Sequence, residues 1–229
     1  MGKIRFGVVG SGWRAEFSTR IAAAAPDVFS VPPVVARCSE KVNLFARTWG
    51  CSTYATMDSM LEKEPLDFVV TSLPWATNPE LIKVLVERGV PVLSETPPAP
   101  EVADMIDLWE YVEEKGGKVC VAEQYFSWVR NNRVLVRGER GEIVNDRVAY
   151  LKDFRTPLYM DFIRHIADGP SNLEGQYFKG IQLGTEWVCE NPLAQAPLAD
   201  DEVAIGALML GMAAYVGGGV PPYPLAEAC

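Results

Sequence analysis

Short apolar runs alternate with amphipathic stretches over the first half of the chain. Five apolar runs predict buried strands, at 4–9, 32–36, 68–71, 90–93 and 119–122. Apolar residues at helical spacing predict intervening helices, at 13–25, 40–49, 57–63, 78–88 and 101–115. This alternation is typical of βαβ units, in which helices cover both faces of a parallel sheet. The sequence therefore predicts an α/β fold, with a doubly wound Rossmann domain over residues 1–123.

The helix that follows the strand at 68–71 has clear start and stop signals. Asn78 is a residue type that caps helices, Pro79 fits a first helical turn, and Gly89 ends the stretch. We expect the Asn78 side chain to cap this helix.

The pattern changes after residue 123. Residues 134–137 and 143–151 predict two strands around a turn at Gly138 and Gly141, which indicates a hairpin. Residues 155–198 show weak periodicity and predict irregular structure, and a last helix is expected at about 200–216. We place a domain boundary near residue 124 and expect a smaller, shortened α+β domain over 124–229.

Charge and composition exclude several classes of partner. The net charge is −9, which disfavours nucleic acid and anionic membrane surfaces. The most apolar stretch, 203–216, is shorter than the roughly 18–20 residues that cross a bilayer. Five scattered cysteines lack the close spacing of a structural zinc site, so no metal is expected. These features favour a soluble cytoplasmic protein with reduced thiols.

Gly10, Ser11 and Gly12 lie between the first predicted strand and the first predicted helix. Gly10 permits a tight turn, and Gly12 lets the backbone approach a pyrophosphate at the helix start. An ordinary strand–helix turn is the alternative interpretation. Because the motif follows the first strand of a βαβ series, we expect it to bind NAD or NADP.

The end of the second predicted strand bears on the choice between the two cofactors. An acidic residue there usually binds the ribose hydroxyls of NAD, whereas a small residue followed by Arg tolerates the 2′-phosphate of NADP. Ala36 and Arg37 favour NADP. Glu40 lies close by, and Arg37 as a solvated loop charge is the alternative.

Three motifs occur in order along the chain: Gly10–Gly12, Ser72-Leu73-Pro74 and Glu95-Thr96-Pro97. With them the chain resembles the glucose–fructose oxidoreductase, inositol dehydrogenase and rhizopine-catabolism (Gfo/Idh/MocA) family over residues 3–123. The resemblance resumes at 134–151, 200–216 and 223–228. The resemblance implies an NAD(P)-dependent oxidoreductase of sugars or polyols, with a Rossmann domain followed by an α/β domain with a large open sheet. Together with Arg37, the residues it implies at the cofactor are Gly10, Ser11, Gly12, Trp13, Arg14, Ser72, Leu73, Pro74, Asn78, Glu95, Thr96, Pro97 and Gln124.

The chain departs from the family pattern where the proton chemistry would be. Thr96 stands in place of the motif lysine, and threonine has no pKa near neutrality. Asn78 stands in place of a histidine. The segment that carries the family's catalytic histidine is missing, and the context of His165 does not match it, so the catalytic residues are unknown. Glu123, Asp153, Tyr159 and Asp161 are possible substitutes that no sequence pattern places at the nicotinamide.

These departures leave three interpretations open. The leading one is an NAD(P)-dependent oxidoreductase with a depleted catalytic site, acting on an unidentified small molecule such as a sugar or polyol. The alternative is a non-catalytic nucleotide-binding or regulatory protein, and a third is an internally deleted product of a normal enzyme gene. Because the resemblance implies a second-domain sheet that builds the subunit interface, we also expect a homo-oligomer.

Overall fold

The structure is a computed structural model that describes residues 2–37, 39–123, 135–138, 141–144, 147–150, 158–166, 176–193 and 196–228. Its contacts divide the chain into two compact units. The first comprises Met1–Glu123 and Ile205–Cys229, and the second comprises Gln124–Ala204.

The first unit contains a six-stranded parallel sheet. Its strands are β1 (Phe6–Val9), β2 (Val34–Val35), β3 (Thr53–Tyr54), β4 (Phe68–Thr71), β5 (Val92–Ser94) and β6 (Val119–Val121). The spatial order is β3-β2-β1-β4-β5-β6, and every neighbouring pair is parallel. This is the strand order of a doubly wound Rossmann fold, so the predicted fold class is confirmed.

Helices connect these strands. They are α1 (Trp13–Ala24), α2 (Glu40–Trp49), α3 (Met57–Leu61), α4 (Asn78–Glu87) and α5 (Val102–Lys115). Each lies within two residues of its predicted bounds. The short strand β3 was not predicted, because two residues carry no detectable alternation.

Strands β1, β4, β5 and β6 are buried on both faces, as a covered parallel sheet requires, whereas the short edge strand β3 is partly exposed. Phe6 of β1 and Phe68 of β4 are stacked with ring centroids 5.6 Å apart, and Phe29 meets Phe6 edge-on. All three rings are almost completely buried. Aromatic packing therefore holds the two central strands together, between which the strand order reverses.

The second unit contains a six-stranded antiparallel sheet in which each strand pairs with the next. Its strands are β7 (Leu135–Gly138), β8 (Gly141–Val144), β9 (Arg147–Tyr150), β10 (Leu158–Ile166), β11 (Gln176–Leu183) and β12 (Glu186–Glu190). The predicted hairpin at Gly138 and Gly141 is present.

Two expectations for this unit were wrong. The single strand predicted at 143–151 is two antiparallel strands, with Val144 paired to Arg147; the Asn-Asp pair at 145–146 was the turn signal that could have shown this. The stretch 155–198 contains β10, β11 and β12 rather than irregular structure. Its strands carry polar residues and pair with remote partners, which obscures the alternation that a single sequence offers.

The last part of the chain packs with the first unit rather than the second. Helix α6 (Asp200–Val216), which agrees with the predicted helix, is followed by the short, unpredicted α7 (Leu225–Ala228). Val121 donates its N–H to the carbonyl of Tyr223 (3.0 Å), and Leu225 is buried in the first core. The Lys118 ammonium donates to the carbonyls of Tyr215 and Val216 (3.0 Å each) at the end of α6. These contacts cover the edge strand β6 and account for the grouping of Ile205–Cys229 with the first unit.

Among the helices of the described ranges, none has the length and apolar character needed to span a membrane.

Candidate cofactor site

The Gly10–Gly12 turn, here called the nucleotide turn, lies at the point where the strand order of the parallel sheet reverses. It follows β1, whose neighbours are β2 on one side and β4 on the other. In open α/β sheets, ligands bind in the crevice outside the carboxyl ends of the strands at such a reversal.

Gly10 approaches the neighbouring strand end more closely than any other residue type could. Its φ is +125°, and a Cβ built there would lie 2.2 Å from the Ser72 carbonyl oxygen. The Gly10 N–H donates to the carbonyl of Val35 (2.9 Å), and the Ser72 N–H donates to that of Val9 (2.8 Å). Glycine at position 10 therefore lets the chain turn sharply between the ends of β2 and β4.

Gly12 opens α1 and leaves space beside the helix start. It is the N-cap residue, and no side chain of the described residues caps the helix. A Cβ built at Gly12 would meet nothing within 4 Å. The helix start therefore combines N–H groups that no described side chain caps, the positive end of the helix dipole and open space beside Gly12, which fits a phosphate.

Ala15, three residues after Gly12, is completely buried. It occupies the third position of a G-x-G-x-x-G/A pattern, where a small residue permits close packing of the helix on the sheet. Ala15 is absent from the residues predicted at the cofactor, although its spacing from Gly12 was a signal that could have identified it.

Aromatic rings hold Arg14 at the start of α1. Its guanidinium carbon lies 4.7 Å from the ring centroid of Trp13 and 5.6 Å from that of Phe17. The two rings meet edge-to-face at 5.3 Å, while Trp13 remains 63% exposed. Cation–π contacts thus restrict the guanidinium beside the nucleotide turn.

Arg14 also links the nucleotide turn to the motif loop, the segment 94–98 that begins at the last residue of β5. Its Nε lies 3.7 Å from Oε2 of Glu95. Glu95 is 8% exposed, and its Oε2 accepts no hydrogen bond from the described residues. Burial raises the pKa of Glu95 to about 7, although Arg14 and the Thr96 backbone N–H act to lower it; the Glu123 carboxylate adds a smaller increase.

Thr96, in place of the motif lysine, faces a carboxylate. Its hydroxyl donates to Oε2 of Glu123 at 3.2 Å. Both side chains line a cleft of about 290 Å³, which Tyr223 and Glu227 also border. The position that carries a cation in the family pattern is therefore neutral here and lies beside acidic groups.

Asn78 does not cap α4, and that prediction was wrong. Thr77 is the N-cap residue, and Asn78 is the first residue of the helix. The Asn78 side chain is 1% exposed and turns inward, where its amide nitrogen donates to Ser94 Oγ (2.9 Å) and to the Pro98 carbonyl (3.1 Å). Asn78 therefore fastens both ends of the motif loop, a role that local cap propensity could not reveal.

The remaining predicted cofactor residues lie at the same edge of the parallel sheet, at the ends of β1, β2, β4 and β5. Ser11, Ser72, Leu73 and Pro97 are half-buried, whereas Pro74 and Arg37 are exposed. Gln124 lies outside the described residues.

The possible proton acceptors belong to different parts of the chain. Glu123 lies beside Thr96, and Asp153 is outside the described residues. Tyr159, Asp161 and His165 lie on β10 of the second unit.

A family model matches the site-bearing part of the chain. The model of the GFO_IDH_MocA oxidoreductase family, described as having an NAD-binding Rossmann fold, matches residues 4–123, just over half of the sequence. The chain belongs to this family. The resemblance stated from the three motifs is thereby confirmed. No curated protein gives a significant match.

Solved structures match part of the chain at low sequence identity. The WlbA dehydrogenase from Bordetella pertussis, in complex with NADH and UDP-GlcNAcA, is 22% identical with a TM-score of 0.50, covering 56% of this chain and 39% of its own. An NAD-binding protein from Listeria innocua is 24% identical with a TM-score of 0.49, and the match covers 57% of this chain and 38% of its own. KijD10 is a 3-ketoreductase from Actinomadura kijaniata, solved in complex with NADP and TDP-benzene. It is 22% identical with a TM-score of 0.48, and the match covers 56% of this chain and 39% of its own. The match thus covers about two fifths of each of these proteins.

Proposed function

We propose that this family member binds NAD or NADP at the nucleotide turn and has, at most, weak oxidoreductase activity on a sugar, polyol or related small molecule. The observation that carries the first part is the uncapped, open start of α1 at Gly12. Family membership and the close approach of Gly10 to Ser72 support the same location.

In the proposed complex, the phosphates lie at the first turn of α1. The Gly12 backbone and the following N–H groups donate to them, and the Arg14 guanidinium balances their charge. This local positive charge matters because the protein as a whole carries −9. Ser72, Leu73 and Pro74 border the cofactor along the end of β4.

The nicotinamide, when bound, supplies the hydride chemistry, and the protein must handle the accompanying proton. A lysine would favour an alkoxide developing on the substrate through its positive charge. Thr96 has no charge, and its hydroxyl already donates to Glu123. Glu95 precedes Thr96 in the motif loop, and the negative charge of its ionised carboxylate would disfavour that alkoxide further. The electrostatics around Thr96 therefore support a depleted catalytic site.

Ala36 and Arg37 support a preference for NADP. Ala36 is half-buried at the end of β2, and Arg37 beside it is exposed. A small residue leaves room for a 2′-phosphate, and a solvated guanidinium can pair with it.

A turnover assay on sugars, polyols and nucleotide sugars, with NAD and NADP each as oxidant, tests the catalytic part. Uronic-acid nucleotide sugars belong in the panel because WlbA holds one. We expect no more than trace turnover. Thr96→Lys should bind cofactor yet remain inactive, because no general acid/base has been restored. Robust turnover by the unmodified chain, with its length confirmed by intact mass, would contradict the depleted site.

A non-catalytic nucleotide-binding or regulatory role is the second candidate. The observation that favours it is Thr96 among acidic groups instead of a lysine. Cofactor binding at micromolar concentration without turnover of any panel compound would support this role over that of a weak enzyme.

We also propose that the protein is cytoplasmic and self-associates. Tyr159, Trp187 and Val188 of the antiparallel sheet are exposed in the single chain, and apolar surface of this kind favours association. Light scattering coupled to size-exclusion chromatography would give the mass of the assembly, and a monomer at every concentration would contradict it.

A further inference from the structure

Arg14 belongs to two parts of the proposed site at once. It is the second residue of α1, next to the open helix start at Gly12. Its side chain also reaches the motif loop, where Nε lies 3.7 Å from Glu95 Oε2. An anion at the helix start and the Glu95 carboxylate would therefore share the same guanidinium.

The surroundings of Glu95 give its ionised carboxylate little stabilisation. It is 8% exposed, and within the described part of the chain its Oε2 accepts no hydrogen bond. Among the described residues, three groups act on it electrostatically: the Arg14 guanidinium from α1, the Thr96 N–H from its own loop and the Glu123 carboxylate beyond β6. Arg14 and Thr96 favour the ionised form, whereas burial and Glu123 favour the neutral form. These opposing effects leave the pKa of Glu95 at about 7.

We propose that Glu95 is a positioning residue that holds Arg14 for the phosphates of the dinucleotide and takes up a proton as the dinucleotide binds. This inference rests on the proposed function, because it requires the cofactor to bind at the nucleotide turn. It adds a role for Glu95 that the family membership does not assign.

The charges near Arg14 determine the direction of the proton transfer. A pyrophosphate at the start of α1 brings negative charge to the guanidinium that partly neutralises Glu95. The Glu95 carboxylate then loses part of its stabilisation while remaining buried, so its pKa rises on binding. At a pH between the free and bound pKa values, binding must be accompanied by proton uptake, and by linkage the affinity must fall as the pH rises.

Isothermal titration calorimetry measures this uptake directly. The probe is whichever of NADH and NADPH binds more tightly, titrated at several pH values between 6 and 9 in pairs of buffers with different ionisation enthalpies. We expect a net uptake approaching one proton above neutral pH. The Kd should rise by up to tenfold per pH unit until the pH exceeds the bound-state pKa.

Two matched variants isolate the contribution of Glu95 to the proton uptake. Glu95→Gln should abolish the part of the proton uptake that is due to the protein. Any protons taken up by the 2′-phosphate of NADPH remain in this variant, because it binds the same ligand, and can be subtracted from the wild-type value. Glu110→Gln removes an exposed carboxylate of α5 and should leave uptake unchanged. Circular dichroism establishes that each variant is folded.

Arg14 variants provide an independent test that does not depend on Glu95→Gln folding. Arg14→Gln should reduce uptake, because Glu95 without its counterion is already protonated near neutral pH in the free protein. Arg14→Lys keeps the positive charge and should retain most of the uptake.

Binding of the wild-type protein without proton uptake anywhere between pH 6 and 9 would overturn this inference and leave the proposed cofactor site intact. Uptake that persists in Glu95→Gln beyond the ligand's own contribution would overturn it equally. Failure of both NADH and NADPH to bind at any pH would refute the proposed function itself, and this inference with it.

Discussion

The carbonyl oxygen of Ser72 occupies the space that a Cβ at Gly10 would need, only 2.2 Å from its ideal position. Gly10 also has a φ of +125°, which side-chain-bearing residues rarely adopt. The close approach joins the ends of β1 and β4, between which the strand order reverses. The fold itself thus requires glycine at position 10, in addition to the requirement of the glycine motif for binding.

Gly10→Ala should therefore destabilise the protein. Backbone strain at a positive φ costs about 1–3 kcal/mol, and the clash with a backbone oxygen adds to it. We expect the free energy of unfolding, measured by urea denaturation, to fall by at least about 2 kcal/mol. Gly12→Ala is the matched control, since its Cβ meets nothing within 4 Å, and it should cost less than about 1 kcal/mol. Equal stability of the two variants would contradict the account of Gly10.

Asn78→Ala should loosen the motif loop. The substitution removes both hydrogen bonds of the buried amide and leaves the Pro98 carbonyl without that donor. A buried group left unsatisfied costs about 1–3 kcal/mol. Denaturation should show a loss of this size. Thr77→Ala, which removes an exposed hydroxyl that donates to the Pro74 carbonyl, should cost less than about 1 kcal/mol; a similar loss in both variants would count against the role of Asn78.

The contrast between Gly10 and Asn78 indicates what the sequence could and could not predict. The strand, the glycine turn and helix α1 are consecutive in the chain, so local periodicity and turn chemistry located them within two residues. The partners of Asn78 lie 16 and 20 residues away. Cap propensity is a local signal, and it failed because burial against a distant loop decided the orientation of the side chain.

Dependence on partners that are distant in the sequence also explains why strands of the second unit were not predicted. Strand β10, with the sequence LYMDFIRHI, mixes charged and apolar residues and pairs with β11 across a register shift at Ile163 and Arg164. Such a strand is specified by its cross-strand neighbours more than by its own pattern. The Arg14–Glu95 contact was likewise invisible in the sequence, because 81 positions separate the two residues.

Glu95 should make stability depend on pH. Its pKa is raised from 4.5 to about 7 in the folded protein, so the folded state binds more protons between these values. Stability should therefore fall as the pH rises from about 4.5 to 7, by up to roughly 3 kcal/mol. The difference in unfolding free energy between wild type and Glu95→Gln, followed by urea denaturation from pH 4 to 8, isolates this contribution. Relative to wild type, Glu95→Gln should become progressively more stable over this range; a constant difference would contradict the burial of an ionisable Glu95.

Ala36→Asp should reverse the proposed cofactor preference. An aspartate at the end of β2 would repel a 2′-phosphate and accept hydrogen bonds from the ribose hydroxyls of NAD. We expect NADPH to bind at least tenfold more tightly than NADH to the wild-type protein and less tightly than NADH to the variant. Nicotinamide fluorescence titrations measure all four affinities. Equal or tighter binding of NADH by the wild-type protein would remove the basis for this preference.

Binding of NADH and NADPH to wild type and to Gly12→Val, compared side by side, determines whether the cofactor lies at the start of α1. A valine side chain at position 12 would enter the open space at the start of α1, where the phosphates are proposed to lie, without meeting another described part of the protein near its Cβ. We expect wild type to bind at least one of the two cofactors, and Gly12→Val to be folded by circular dichroism but to bind neither. A Gly12→Val variant that binds as tightly as wild type would place the cofactor elsewhere, and a wild-type protein that binds neither cofactor would contradict the account as a whole.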